Sequence, residues 1–218
     1  MSETKYSFTR KGLTDAAWKV SEGDKEIAEI MVNDTIIAVP KSCDLSDDEL
    51  NEWLTGIEQA FMDFTDRPEY VIGKMIPQEM LSDGPIDPIR QQELMDYMGQ
   101  YVKGCCAAIY SDGLSEKYAQ RALAWLETTD FYTAHASTKY YDNDALGLLR
   151  HTLKVVNNVT ELSHMSQFKD VNLAEAILAA IVHDWCKINF YEEYDLYAAN
   201  ARYPMVLLLQ IADQLSAL

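Results

Sequence analysis

His183 and Asp184 stand side by side in the stretch Ile181–Tyr191 (IVHDWCKINFY), at the end of an apolar run and with Lys187 three residues beyond. An aspartate on a mostly aliphatic segment needs a reason, because a buried carboxylate is almost always paired or bound to a cation. His151 lies 32 residues before His183, and Asp213 sits further on among Leu207, Leu208, Leu209, Ile211, Ala212 and Leu215. If the segments carrying them are helices packed together, His151, His183, Asp184 and Asp213 can converge on one point. Two imidazoles and two carboxylates suit a divalent ion such as Mn²⁺, Fe²⁺, Zn²⁺ or Mg²⁺. An ion held there would lower the pKa of bound water and polarise a phosphoryl oxygen. The ordinary alternative is a polar cluster inside a helix bundle whose members satisfy one another.

The elements that must position these residues are legible as helical periods. One helix is expected over about Ala145–Ser163, carrying His151, and another over about Asn172–Cys186, carrying His183. A last one is expected over about Pro204–Leu218, carrying Asp213. Upstream, Pro88 suits a first helical turn, and Leu94, Tyr97, Met98, Tyr101 and Val102 form its apolar stripe. Ser115 opens another helix with Tyr118, Ala122, Trp125 and Leu126, which stops near Thr129-Asp130. The remaining histidines, His135 and His164, fall near segment ends.

The first 75 residues read differently. Ala17–Val20, Ile27–Val32 and Thr35–Val39 are strands of a β-meander, separated by Glu22-Gly23-Asp24 and Asn33-Asp34. Ser46 and Glu49 make a capping-box pair, and Leu50, Trp53, Leu54, Ile57, Phe61 and Phe64 follow at helical spacing. Tyr70–Ile72 is expected to add a short strand. Residues 76–88 (IPQEMLSDGPIDP), with three prolines and a glycine, read as a linker. The fold class expected is therefore mainly α: a helical bundle over 89–218 preceded by a small α+β module over 1–75.

Three phrases carry a resemblance: FYTAHASTKYYDNDALGLLRHT (Phe131–Thr152), HDWCKINFYEEY (His183–Tyr194) and YPMVLLLQIADQLSA (Tyr203–Ala217). In that order they resemble the H…HD…D signature of the HD-domain metal-dependent phosphohydrolases, in particular a bacterial and phage HD-hydrolase subgroup. They resemble more distantly the HD domain of a bacterial 3′–5′ exoribonuclease. The resemblance covers roughly Ser115–Leu218. It implies an HD-type bundle in which His151, His183, Asp184 and Asp213 are metal ligands. Asp184 would hold or orient the nucleophilic water, and Lys187 would sit near the substrate phosphate. Lys139 and Arg150, basic residues close in sequence to the motifs, are the candidates for binding substrate; a surface position is the bland alternative for both, as for Lys154. Members of the subgroup carry histidine where this chain has Tyr141 and glycine where it has Leu146. They also carry a long histidine-containing segment between the HD doublet and the last aspartate, and this chain lacks it.

Composition limits the partners. Eighteen Lys+Arg against 35 Asp+Glu give a net charge of −17, with 22 of the acids before Ser115. That field opposes strong binding to duplex nucleic acid or to anionic membranes, yet a bound divalent ion would reverse the sign locally for a small phosphorylated substrate such as a nucleotide. Cys43, Cys105, Cys106 and Cys186 show no C-x-x-C spacing, and the N-terminus has no apolar signal core, so a reducing cytoplasm is expected. Two functions follow. One is a phosphomonoesterase or phosphodiesterase acting on a nucleotide or short oligonucleotide. The other is a catalytically degenerate HD scaffold that binds a basic protein partner through its acidic surface.

Overall fold

The computed structural model describes residues 5–42, 44–82, 87–110, 113–136, 145–185 and 188. The chain divides into two compact units, Met1–Lys74 and Met75–Leu218. It is mainly α, with an α+β module at the N-terminal end.

In the first unit, β1 (Ser7–Arg10), β2 (Ala17–Glu22), β3 (Lys25–Val32) and β4 (Ile36–Pro40) form an antiparallel meander in sequence order. The β2–β3 hairpin closes through Gly23-Asp24 between the paired Glu22 and Lys25. Gly23 has φ +60 at the first loop position, where a type II′ turn needs a residue without a Cβ. Alternation places Trp18, Val20, Ala28, Ile30 and Ala38 on one face. Helix α1 (Asp47–Thr65) covers that face with Ile57 and Phe61. The opposite face carries charged side chains, among them the ion pairs Lys11–Glu29 at 2.8 Å and Lys41–Glu26 at 2.7 Å. Such pairs at a wet surface contribute little stability, and they share that face with the exposed Met31, Ile37 and Val39. The carboxylate of Glu49 accepts from the Ser46 amide at 3.1 Å and from its hydroxyl at 2.6 Å, so the expected helix start is present. These bonds from Ser46 favour the ionised carboxylate and lower the Glu49 pKa.

Two features of this unit differ from expectation. Strand β1 was not anticipated, because Ser7, Thr9 and Arg10 give it little apolar alternation. Tyr70–Ile72 is not a strand; Pro68–Val71 is a 3-10 turn. Arg10 explains why that turn is kept. Its guanidinium donates to the Tyr70 and Ile72 carbonyls, pairs with Asp15 at 2.7 Å, and lies 4.2 Å above the Trp18 ring. The carbonyls that a strand would offer to a neighbour go to an arginine instead.

The second unit contains α2 (Gln78–Leu81), α3 (Pro88–Ile109), α4 (Ser115–Glu127), α5 (Gly147–Ser163) and α6 (Leu173–Val182). Asp87 caps α3 by accepting from the Arg90 amide at 2.8 Å, and Leu94, Met98, Tyr101 and Val102 are buried along it. Asn172 caps α6 through the amides of Ala174 and Glu175. Helix α5 is buried nearly all round, as a helix enclosed by others must be. It packs against α2, α3, α6 and the 3-10 turn Ser166–Phe168.

Part of the stretch read as a linker belongs to this core. Ile76 and Leu81 are buried, and the Asn157 side chain pairs with both backbone groups of Ile76. Arg90 further ties residues 80–82 to α3 by donating to the Met80 and Ser82 carbonyls. Pro77 and Pro88 therefore stand at the starts of α2 and α3 in a packed segment. The expected helix over about Pro204–Leu218 lies outside the described residues.

Candidate metal centre

Two helices deliver the described part of the site. His151 lies one turn into α5 and is wholly buried. His183 is the residue at which α6 ends, and Asp184 follows it at 8% exposure. The doublet is thus at the helix terminus, where a reading of the apolar run places it inside a helix ending near Cys186. The difference has a chemical consequence. The unpaired carbonyl end of a helix carries partial negative charge, and the Asp184 carboxylate adds to it. Both favour a cation at this place.

Oδ2 of Asp184 lies 3.2 Å from His151 Nε2 and 3.4 Å from His183 Nε2. The ligand-type atoms of the three residues all fall within 4.8 Å of one another. Adjacent ligands about 2.1 Å from a shared ion stand about 3.0 Å apart in octahedral and about 3.4 Å apart in tetrahedral geometry. The two measured separations match that range. The imidazoles are tilted by 48° with centroids 5.4 Å apart, so they converge edge-on and do not stack.

The tautomer of His183 is set by its other nitrogen. Nδ1 lies 2.6 Å from the Ala180 carbonyl oxygen, and a carbonyl can only accept, so Nδ1 carries the proton. Nε2 is then the nitrogen left to act as a ligand, 3.4 Å from Asp184 Oδ2. A cation shared between an imidazole nitrogen and a carboxylate this close is favourable to both. An imidazole whose second nitrogen donates to a backbone carbonyl is the usual arrangement of a metal-ligating histidine. The donor set, its burial and its spacing therefore fit a divalent ion.

Of the other expected site residues, Arg150 is buried at 1% exposure. It is a core cation beside His151 in sequence, and the surface position expected as its alternative is excluded. Lys154 is half-buried on the same helix, while His135 and His164 are exposed and take no part in the cluster. Lys139, Tyr141, Cys186, Lys187 and Asp213 lie outside the described residues. Leu146 has φ +70 and is the one described non-glycine residue with positive φ. It precedes the first turn of α5, whose Leu148 amide is satisfied by the Ala134 carbonyl at 2.9 Å. Trp185, next to the doublet, packs its ring against Trp125 of α4 at a centroid distance of 4.9 Å. The signal in the sequence is Trp185 itself, a large aromatic side chain directly after the doublet.

Comparison with protein-family models, with curated proteins and with solved structures finds no match. No described helix is long and apolar enough to cross a membrane.

Proposed function

We propose that the second unit is a metal-dependent phosphohydrolase of the HD type, acting on a nucleotide or short oligonucleotide as a phosphomonoesterase or phosphodiesterase. The observation that supports this reading is the convergence of His151, His183 and Asp184, with the His183 ring oriented by Ala180 so that Nε2 faces the carboxylate. In the proposal these three residues and Asp213 hold one divalent ion. The ion supplies a Lewis acid for the phosphoryl group and a source of hydroxide near neutral pH. Asp184 holds the attacking water in line with phosphorus, and its buried position keeps that orientation fixed. Lys187 steadies the phosphate charge, and Lys139 contributes to binding the substrate anion, while Arg150, buried in the core beside His151, adds positive charge behind the site. The absence of further histidines in the interval before Asp213 leaves the leaving group without a dedicated imidazole acid, so substrates with good leaving groups turn over fastest. Cys105 and Cys106 are buried free thiols, in keeping with work in a reducing cytoplasm.

The test is hydrolysis of a panel of nucleoside mono-, di- and triphosphates and short oligonucleotides with Mn²⁺. Turnover that is lost in Asp184→Asn and His183→Ala, with unchanged circular dichroism, is the expected result. Turnover indifferent to both substitutions, or none in the wild type loaded with any of the four metals, contradicts the proposal.

A further inference from the structure

Trp125 projects from α4 with 43% of its surface exposed, a large apolar side chain left in water. It is not isolated. Its ring meets the ring of Trp185 at 4.9 Å with a tilt of 43°. Trp185 directly follows Asp184, so consecutive Cα atoms about 3.8 Å apart link the indole pair to the carboxylate of the candidate metal centre. The inner member, Trp185, is only partly exposed and its indole nitrogen is shielded from solvent. This leaves Trp125 as the member with its surface open. Contact with the tilted Trp185 ring restricts the rotamers of Trp125 and stiffens it. A stiff aromatic face costs little entropy when a second flat ring lies on it.

We infer that Trp125 is a base-stacking platform, and that the substrate of the neighbouring site carries a nucleobase. The inference rests on the proposed nucleotide-hydrolysing site and assigns the residue that meets the base. A ligand anchored by phosphate at the ion and extending past Trp185 places its other end against Trp125. A nucleotide has the required parts: an anionic phosphate for the ion and a π-face for the indole. Stacking of this kind is tolerant of base identity, since every base presents a similar face. It supplies binding energy remote from the reacting phosphorus, where a simple phosphate ester such as a sugar phosphate has none.

The experiment separates the two ends of the ligand. Adenosine carries the base without phosphate, ribose 5-phosphate carries the phosphate without the base, and AMP carries both. Binding is followed by calorimetry and by quenching of indole emission in the wild type, Trp125→Ala, Trp125→Phe and His183→Ala, with and without Mn²⁺. The wild type with Mn²⁺ is expected to bind AMP at least about fivefold tighter than ribose 5-phosphate. Trp125→Ala removes that difference and the quenching by adenosine, leaves ribose 5-phosphate unchanged, and is substantially repaired in Trp125→Phe. AMP binding unchanged by Trp125→Ala, or AMP and ribose 5-phosphate weakened equally, overturns the platform. If ribose 5-phosphate binding is indifferent to Mn²⁺ and His183 while adenosine still quenches through Trp125, the metal reading fails and the platform stands.

Discussion

The side-chain amide of Asn157 pairs with Ile76 as one strand pairs with another, its Oδ1 accepting from the Ile76 amide at 2.9 Å and its Nδ2 donating to the Ile76 carbonyl at 2.8 Å. Both residues are buried, and 81 positions separate them. This one residue therefore attaches the start of the second unit to its central helix, the same helix that carries His151.

Removing that amide leaves a buried N–H and a buried carbonyl to be satisfied elsewhere. Asn157→Ala is expected to destabilise the second unit by about 2–6 kcal/mol, the sum of two desolvated groups at about 1–3 kcal/mol each. Asn157→Leu keeps the volume and is expected to be comparably damaging. Urea unfolding of the wild type and both variants checks this; near wild-type stability for Asn157→Leu would show that volume alone matters there.

Leu146 holds the left-handed conformation that costs a leucine about 1–2 kcal/mol. It is also buried, and that burial stabilises by about 1.5–3 kcal/mol. Burial offsets strain, which explains how leucine stands at a backbone position that favours glycine. The expected ranking is unusual. Leu146→Ala loses the burial and keeps the strain, whereas Leu146→Gly loses the burial and releases it, so the glycine variant should be the more stable by about 1 kcal/mol. Elsewhere in ordered backbone the alanine variant is the more stable of the two. Thermal or urea denaturation of the pair decides the sign.

Burial, with a smaller contribution from Cys106, pushes the Cys105 thiol from 9.0 up to about 12, and burial raises Cys106 too. In the unfolded chain a thiol titrates at about 8.5. The folded value is the higher one, so the native state binds the proton more tightly than the unfolded state. The stability this contributes is complete below the unfolded value and is lost as pH rises towards about 12. The alkaline decline should be shallower in Cys105→Ala. At pH 8, iodoacetamide should spare the peptide bearing Cys105 and Cys106 in the native protein and modify it in urea; equal native labelling would contradict the buried thiols.

Some of this was legible in the residues. The acid in IVHDWCKINFY advertises itself, because an aliphatic run rarely ends in histidine and aspartate without a partner for them. The helix periods around Leu94–Val102 and the Ser46–Glu49 cap are local patterns whose partners lie within a turn or two, so no distant contact is needed to read them. Strand β1 was hidden because Arg10 is buried by contacts with Tyr70 and Ile72 that only the folded chain creates. The same holds for Asn157, which looks like a polar residue on a helix surface until Ile76 is placed beside it. The end of α6 was misread because the His183 side chain, which bonds the Ala180 carbonyl, marks the terminus without any glycine or proline to announce it.

The central claim is that His151, His183 and Asp184 hold one divalent ion. Crystals grown with Mn²⁺ and measured for its anomalous scattering address it most directly. The account predicts a single strong peak within about 2.3 Å of His151 Nε2, His183 Nε2 and Asp184 Oδ2, absent from crystals of His183→Ala. No peak in the wild type, with Asp184 instead hydrogen-bonded directly to a doubly protonated His183, would contradict it.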